Sequence, residues 1–427
     1  MIGTQEDAIE KIKRGESLFL TGNGGSGKSF VIRQVTDSKT ILCAPTGVAA
    51  LNIGGSTLHS VFGLPVGIRS EDELDEIKPA VRKLFSGNNI TRVIIDEAPM
   101  MRAEMLDMIN HKLKIIKDNN KPFGGLQIVL VGDFFQIEPI ITKQERKAFN
   151  ALGYESPFIF HSDCWEEMDL QTVVMTKNFR QESGDQIEIL NAIRTGSGLK
   201  RALKRLNSIA TIDEDLEETD VPLVLCPLKT TAQSYNDMWL KLLKGKGHSL
   251  KATKEGRITI EETRAASMLK LKEGARVIFN ANDSEKQFVN GEMGTFLNVN
   301  KNMITREIDS IDVKKDNGEI VKVVRNVWEK QAYTLDATTR RIQKEVVGSV
   351  EQFPLLLGYA CSIHSSQGLT LDRYLLDISS GCFSHGQCYV ALSRIRDLKN
   401  LVLARKIREE DIIIHPEVKK FYESVEV

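Results

Sequence analysis

Residues 22–29 read GNGGSGKS, and this stretch constrains the fold more than any other part of the sequence. It fits the pattern G-x-x-x-x-G-K-[ST], with Gly22, Gly27, Lys28 and Ser29 at the fixed positions. Glycine at such positions lets backbone N–H groups approach a ligand closely. The apolar run SLFLT before the loop predicts a buried strand, and KSFVIRQV after it predicts a helix. Strand, glycine loop and helix in this order predict a phosphate-binding loop, with a glycine-rich surface turn as the alternative.

The composition is that of a globular protein with more than one domain. A chain of 427 residues with 41% hydrophobic content is long enough for two or three domains. We find no run of eighteen apolar residues and no secretory or transit pattern, so we expect no membrane span. Its six cysteines form no C-x-x-C pair, which is typical of a reducing cytosol. We therefore expect a cytoplasmic protein, and the lack of a long N-terminal extension favours a bacterial or phage source.

Charge and cysteine spacing leave two questions open. The net charge of −1 gives no sign of a nucleic-acid partner, and the local basic clusters are by default solvated surfaces. The stretch CFSHGQC places Cys382, His385 and Cys388 at three-residue steps that could bind zinc. A fourth ligand is missing nearby, so zinc stays the less favoured alternative.

Apolar, β-branched runs recur along the chain with helical stretches between them. Beyond the glycine loop they occupy residues 40–45, 92–96, 126–133, 221–227 and 354–363. Near-continuous apolar strands of this kind predict parallel sheets covered on both faces by helices, which is an α/β fold.

Two intervals depart from that pattern. Residues 250–345 are polar, with short alternating segments and turn signals, and they predict a small antiparallel barrel inserted into an α/β domain. Residues 64–89 are rich in proline, glycine and acidic residues, and they form either a small subdomain or a long loop.

Carboxylates and a glutamine follow two of the apolar runs. Asp96 and Glu97 come directly after one strand, where an enzyme that hydrolyses a nucleotide needs two carboxylates. Asp96 would hold Mg²⁺ together with the Ser29 hydroxyl, and Glu97 would orient and deprotonate the attacking water. Gln136 follows the next strand and could contact a γ-phosphate without adding charge. An ordinary strand-end pair and a polar turn are the respective alternatives.

Phosphoryl transfer also needs cations near the γ-phosphate, because negative charge spreads over its oxygens as the bond breaks. Arg180 in KNFRQES and Arg394 in GQCYVALSRIRDLKNL are the candidates. Each arginine taken alone is more typical of a surface salt bridge.

Taken together, these motifs resemble the PIF-type DNA helicases of superfamily one, in the branch that also contains phage Dda and RecD-like enzymes. The matching stretches, in family order from residue 22 to 401, are GNGGSGKS, APTGVAALNIGGSTLHSVFGLP, IIDEAPMM, KPFGGLQIVLVGDFFQIEPI, NFRQ, ACSIHSSQGLTLDR and HGQCYVALSRIRDLKNL. The sequence departs from the usual family pattern in GGSGKS, in DEAPM and in HSSQG, which lacks a lysine often found after the histidine.

The resemblance implies an ATP site with Mg²⁺ as cofactor. It assigns Asp96 as the magnesium carboxylate, Glu97 as the catalytic base and Gln136 as the γ-phosphate sensor. It assigns Arg180 and Arg394 as the two arginine fingers, Gln5 as the adenine-reading glutamine and Gly368 as a glycine that lies close to ATP. The phosphate-binding loop comprises Gly22, Gly24, Gly25, Ser26, Gly27, Lys28 and Ser29.

The resemblance also implies a track for single-stranded DNA. It is assigned to Thr57, His59, Phe62, His364, Ser366 and Gln367. Hydroxyls and imidazoles contact phosphates without reading sequence, and an aromatic face accepts any base. For Phe62, packing in the hydrophobic core is an equally open alternative.

Two RecA-like domains are implied as well. Residues 1–180 would form the first, with 64–89 as a wedge subdomain, and residues 181–249 and 346–427 would form the second. Residues 250–345 would be an inserted barrel of the Src-homology-three type. ATP would close the two halves on each other and hydrolysis would release them.

The function implied is that of a monomeric ATP-dependent helicase in replication, repair or recombination, in a family that includes telomere maintenance. It would move 5′-to-3′ on single-stranded DNA and unwind duplex or forked DNA. A small-molecule or nucleotide kinase is one rival, although it has no use for the DNA-type stretches. A DNA-binding protein with a relic loop is the other, and intact Lys28, Asp96, Glu97 and Gln136 argue against it.

Overall fold

A computed structural model of the chain describes residues 2–64, 76–87, 89–139, 141, 143–177, 184–212, 222–304, 306–335 and 342–425. The chain divides into two compact units. The first comprises Met1–Arg180, Lys330–Val347 and Pro416–Val427, and the second comprises Gln181–Glu329 and Gly348–His415.

The first unit is built on a seven-stranded parallel sheet. Its strands are β1 Ile2–Gly3, β2 Leu18–Gly22, β3 Thr40–Ala44, β4 Ser56–Thr57, β5 Arg92–Ile95, β6 Gln127–Gly132 and β7 Gln171–Met175. They are arranged in the order β1-β7-β2-β6-β5-β3-β4, and every pairing is parallel. Strands β2, β3 and β5 are buried along their whole length, as expected when both faces of a sheet are covered. The parallel strands predicted for this part of the chain are confirmed.

Helices of the first unit alternate with these strands. They are α1 Gln5–Lys13, α2 Lys28–Val35, α3 Gly47–Asn52, α4 Leu58–Phe62, α5 Pro79–Phe85, α6 Ala103–Lys117, α7 Lys143–Ala151 and α8 Cys164–Glu167, joined by a helix near the end of the chain, α13 Pro416–Val425. Helix α2 buries Val31, Ile32 and Val35 against strand residues that include Leu18 and Leu20. Burial of each such side chain contributes about 2 kcal/mol.

The second unit contains a five-stranded parallel sheet of its own. Its strands are β8 Thr211–Ile212, β9 Val224–Cys226, β20 Ala360–Ser362, β21 Tyr374–Leu376 and β22 Leu401–Leu403, in the order β20-β9-β21-β22-β8. The helices described in this unit are α9 Gly184–Thr195, α10 Leu199–Ile209, α11 Lys229–Leu242 and α12 Gln387–Leu392. The α/β fold with parallel sheets is therefore confirmed for both units.

Ten strands, with antiparallel pairing wherever their register is described, lie in the interval between β9 and β20. They are β10 Gly247–Lys251, β11 Thr253–Gly256, β12 Met268–Lys272, β13 Arg276–Phe279, β14 Met293–Lys301, β15 Ile308–Lys315, β16 Ile320–Val324, β17 Asn326–Leu335, β18 Ile342–Gln352 and β19 Leu355–Leu357. Five of them form one sheet in the order β16-β15-β14-β13-β19, with a core that includes Phe279, Phe296 and Val313.

One expectation from the sequence is partly wrong. The apolar run at residues 354–363 predicts a parallel strand, but its first half is β19, which pairs antiparallel with β13. Only its second half, β20, joins the parallel sheet. A Cβ on Gly358 would lie 2.8 Å from the carbonyl carbon of Val277, so a glycine is needed where the chain passes from one sheet to the other.

The interval at residues 64–89 is described only in part, because 65–75 and 88 lie outside the described residues. Helix α5 belongs to the described part, and its Phe85 stacks on Phe62 with ring centroids 5.4 Å apart. The wedge subdomain stays a prediction. Within the described residues, none of the helices has the length and apolar character needed to cross a bilayer.

Asp411 illustrates how a buried carboxylate stabilises the second unit. Its Oδ1 and Oδ2 accept hydrogen bonds from Arg405 at 2.7 and 2.8 Å, and Oδ2 also accepts one from the Arg408 N–H at 2.8 Å. Burial alone would raise the pKa of Asp411, but the hydrogen bonds outweigh it, so this pKa lies below its usual value.

We predict that Asp411→Asn lowers the local unfolding free energy of the second unit by about 2 kcal/mol at pH 7. A carboxylate with a lowered pKa stabilises the fold above its unfolded pKa of about 3.9, and this stabilisation is lost as pH falls through the folded pKa. The difference from wild type should therefore vanish in acid. Hydrogen exchange in peptides covering residues 398–413 measures it. Glu410→Gln, which removes an exposed pair with Arg408, is the control and should change nothing.

Candidate active site

The glycine loop has the conformation that its sequence predicts. Strand β2 ends at Gly22 and helix α2 begins at Lys28. Gly22, Gly25 and Gly27 have φ values of 145°, 91° and 86°, in the region that favours glycine. A Cβ on Gly22 would also collide with the carbonyl oxygen of Met175 on the neighbouring strand β7. The loop therefore requires glycine for steric reasons that are independent of any ligand.

Lys28 and Gln5 donate hydrogen bonds to backbone carbonyls of the glycine loop. Lys28 Nζ donates hydrogen bonds to the carbonyl oxygens of Gly22 at 2.6 Å and Asn23 at 3.1 Å. Gln5 Nε2 donates to the Ser26 carbonyl at 3.3 Å, so the predicted adenine-reading residue lies beside the loop. The Ser26 hydroxyl is buried and makes no hydrogen bond to any residue that the structure describes. A buried hydroxyl of this kind fits a loop that binds an additional polar group.

Asp96 and Glu97 follow the end of strand β5. The Glu97 backbone has φ 50° and ψ 35°, a left-handed conformation that costs a residue with a side chain on the order of 1 kcal/mol. Asp96 Oδ1 accepts a hydrogen bond from the Glu97 N–H at 3.0 Å. Burial, and secondly the neighbouring Glu97 charge, raise the pKa of Asp96 to about 7, while the Lys28 charge opposes the shift. This environment favours a bound cation near the two carboxylates.

Gln136 follows strand β6, which lies between β2 and β5 in the sheet. Strand β6 ends at Gly132, and the following turn is closed by a hydrogen bond of 3.0 Å from the Gln136 N–H to the Asp133 carbonyl. Strands β2, β6 and β5 are consecutive neighbours in the parallel sheet. Because parallel neighbours end at the same edge, the loop, the two carboxylates and Gln136 meet there.

These residues fit a nucleotide with Mg²⁺. Asp96 and the exposed Ser29 hydroxyl are oxygen ligands, which Mg²⁺ prefers, and this ion usually takes only one or two protein ligands beside phosphates and water. Clusters of three or more His, Cys, Asp or Glu suited to a metal are absent from the described part of the chain. His385 is one of the three residues of the zinc alternative, and its Nδ1 is already engaged, because it accepts a hydrogen bond of 2.8 Å from the His415 N–H.

Comparison with known proteins gives the family. A family model described as PIF1-like helicase matches residues 3–197. The ATP-dependent DNA helicase Pif1 of Bdellovibrio bacteriovorus is 33% identical over 432 residues, which cover 99% of this chain and 91% of that protein. The chain belongs to the PIF1-like helicase family.

Solved structures of this family have the same fold. The crystal structure of Bacteroides sp Pif1 in complex with ADP-AlF4 aligns with a TM-score of 0.87 and 32% identity, over 99% of this chain and 96% of that one. Bacteroides Pif1 bound to ssDNA aligns with a TM-score of 0.68 and 32% identity, over 99% and 97% of the two chains.

In this PIF1-like helicase, the DNA-type residues of the first unit differ in accessibility. Thr57 is the N-cap of helix α4, and its hydroxyl accepts a hydrogen bond from the Ser60 N–H at 3.3 Å. His59 is half-buried in the first turn of the same helix. Phe62 is only 1% exposed and stacks on Phe85. Its burial favours the core-packing alternative for Phe62 over a place in the DNA track.

The DNA-type residues of the second unit follow strand β20. His364 and Gln367 are half-buried, and burial lowers the pKa of His364. Ser366 is fully buried, and its hydroxyl donates to the Ile363 carbonyl at 2.8 Å. The Ser366 hydroxyl is committed to the turn, so a contact of this residue with DNA stays a prediction. The neighbouring Ser365 is exposed instead, a difference that the motif HSSQG does not reveal.

The remaining predicted residues lie in the second unit or outside the described residues. Gly368 is exposed and has a φ of 77°, which explains a glycine at this turn. Arg394 is buried just after helix α12, where its Nε donates to the Val390 carbonyl at 3.0 Å and its Nη2 to the Ser393 hydroxyl at 2.7 Å. Arg180 lies outside the described residues.

Two residues near the site carry no sequence signal strong enough to assign them. Asp133 is fully buried at the start of the turn that ends at Gln136, which we call the sensor turn. The Tyr422 hydroxyl on helix α13 lies 3.3 Å from Asp133 Oδ1. Asp133 is visible as a strand-end carboxylate, but Tyr422 belongs to no motif. A contact between residues 289 positions apart cannot be read from local patterns.

We predict that Gly22→Ala weakens nucleotide binding at least about tenfold, because the added methyl group collides with Met175 and displaces the loop. Titration with a fluorescent ADP analogue measures the affinity. Gly87→Ala is the matched control in the first unit, since its Cβ would make only an ordinary contact at 3.4 Å. Equal affinities for both variants would show that the loop tolerates a side chain.

Proposed function

We propose that this chain is an ATP-dependent DNA helicase that moves 5′-to-3′ on single-stranded DNA and unwinds duplex or forked DNA. The observation that carries the proposal is the meeting of three motifs at the ends of β2, β6 and β5. Membership of the PIF1-like helicase family supports the substrate, and a relative of known structure that is bound to ssDNA supports a single strand as the track. The polarity rests on the family resemblance.

The residues at the edge of the sheet have separate roles in ATP hydrolysis. Backbone N–H groups of the glycine loop and Lys28 would bind the phosphates, and Gln136 would contact the terminal one. Glu97 would take the proton of the attacking water. Asp96 and Ser29 would hold Mg²⁺, which when bound neutralises phosphate charge.

Two arginines are proposed to supply further positive charge to the terminal phosphate. Arg180 and Arg394 are assigned on the family resemblance. The hydrogen bonds that Arg394 makes to Val390 and Ser393 hold its guanidinium in one orientation, as a finger requires. Gly368 is proposed to lie close to ATP.

The DNA track is proposed to use polar groups that do not read sequence. His59 and the N-terminal turn of α4, which Thr57 caps, would contact phosphates in the first unit. His364, Gln367 and the exposed Ser365 would do so in the second. Burial lowers the pKa of His364, which favours its neutral form in the DNA-free protein.

The domain assignment is also part of this proposal. We assign the parallel sheets to two RecA-like domains with the boundaries predicted from the sequence, and the antiparallel strands to a barrel of the Src-homology-three type. The alternating core of β13 to β16 supports the barrel. We further propose a wedge at 64–89, a monomer in solution and a cytoplasmic, nucleoid-associated location.

The test is ATP hydrolysis with and without single-stranded DNA. We expect strong stimulation by DNA in the wild type. Lys28→Ala and Glu97→Gln should lower kcat at least about 100-fold, and only Glu97→Gln should retain nucleotide binding. Lys13→Ala changes an exposed lysine of the first unit and should behave as wild type.

Two outcomes would favour the rival functions. Hydrolysis that DNA does not stimulate would favour a small-molecule or nucleotide kinase. DNA binding with no hydrolysis in the wild type would favour a binding protein with a relic loop.

A further inference from the structure

A tyrosine near the end of the chain lies behind the glycine loop and the sensor turn. Tyr422 is on helix α13 and is 3% exposed. Its hydroxyl lies 2.6 Å from the Thr21 hydroxyl and 3.3 Å from both Asp133 Oδ1 and the Phe134 nitrogen. Thr21 directly precedes Gly22, and Asp133 begins the turn that ends at Gln136. One hydroxyl thus joins two of the three strand ends that form the candidate active site.

The donors in this cluster can be assigned. A tyrosine hydroxyl has one hydrogen to donate and two lone pairs to accept with. Tyr422 donates to the Asp133 carboxylate and accepts from the Phe134 N–H. The Thr21 hydroxyl must then be the donor in the short bond to Tyr422. The hydrogen-bonding capacity of the tyrosine is filled, and all three of its partners are fully buried.

Asp133, which Tyr422 contacts, also makes the hydrogen bonds that fix the sensor turn. Its Oδ1 also accepts a hydrogen bond from the Phe135 N–H at 3.1 Å, and its carbonyl accepts one from the Gln136 N–H at 3.0 Å. The Tyr422 ring in addition stacks on Phe135, with centroids 4.6 Å apart. The position of Gln136 therefore depends on a carboxylate that Tyr422 holds.

Helix α13 is fixed firmly enough to act as a support. Phe421 stacks on Phe160 at 4.7 Å and packs edge-on against Phe134 at 5.2 Å. Val418 is fully buried, and Glu417 accepts a hydrogen bond from the Ser156 hydroxyl at 2.5 Å. The helix thus has its own anchors, which would remain if the Tyr422 hydroxyl were removed.

We propose that Tyr422 is a positioning residue for ATP hydrolysis, which fixes the Asp133–Gln136 turn relative to the strand that leads into the glycine loop. Helix α13 then contributes to catalysis through the turn that Tyr422 holds. This inference rests on the proposed function, because it concerns the rate of the same hydrolysis.

The test removes the hydroxyl and keeps the ring. Tyr422→Phe should lower kcat of DNA-stimulated ATP hydrolysis about tenfold, with KM for ATP changed less than about twofold, because a misplaced sensor affects the transition state more than binding. Thr21→Val removes one of the three hydrogen bonds of Tyr422, the one that joins it to the strand leading into the glycine loop, and should also lower kcat.

Tyr154→Phe is the matched control. Tyr154 also lies in the first unit, and its hydroxyl donates to Asp107 at 2.8 Å, away from the three strand ends. Tyr422→Phe loses three hydrogen bonds and Tyr154→Phe loses its bond to Asp107, so thermal melting should shift in both. Only Tyr422→Phe should lower kcat.

A double mutant tests whether Tyr422 acts through the sensor. In a Gln136→Ala background, adding Tyr422→Phe should lower kcat by less than about twofold, since residues that act as a unit are not additive. The inference is overturned if Tyr422→Phe keeps the wild-type kcat, if it changes KM alone, or if its effect is fully additive with Gln136→Ala. Absence of hydrolysis in the wild type would overturn the proposed function and this inference with it.

Discussion

The parallel pairing of β2, β6 and β5 is the constraint on which the candidate active site depends. Each strand contributes one functional segment at its end, and the segments are useful only because the strand ends lie side by side. The Thr21↔Gly132 pairing sets the glycine loop next to the sensor turn, and Ile95↔Leu130 sets the carboxylates beside both. A slip in this register would separate all three at once.

Small backbone details refine the arrangement. Gly22 is required because Met175 leaves no room for a side chain, and Glu97 has a left-handed conformation despite its side chain. Tyr422 adds a restraint from the far end of the chain. The strained and buried groups lie close to the predicted chemistry, where a fold commonly concentrates such costs. The rest of the first unit supports them with an apolar sheet core.

Much of the fold and of the candidate site could be predicted, because it depends on local sequence patterns. Apolar runs identify buried strands, and KSFVIRQV buries Val31, Ile32 and Val35 in a helix that begins and ends as expected. The order of the motifs identifies the family. The order of the strands at the site comes from the structure, since local pattern alone does not say which strands are neighbours.

Other features could not be predicted, for physical reasons. The run at 354–363 is apolar throughout, so its pattern does not show that two different sheets share it. Phe62 and Ser366 belong to DNA-type motifs, but a motif does not specify which of its side chains turn inward to the core. Tyr422 meets Thr21 across 401 positions, and its aromatic neighbours look like ordinary core residues in the sequence.

Strand separation is the measurement that tests the account most directly. Duplexes with a 5′ or a 3′ single-stranded tail are incubated with ATP and the wild-type protein, with Lys28→Ala as the inactive control. The account predicts displacement of the strand from 5′-tailed duplexes only, and only when Lys28 is present. Displacement from the 3′-tailed duplex alone would contradict the polarity, and ATP hydrolysis without displacement from either duplex would contradict the helicase function.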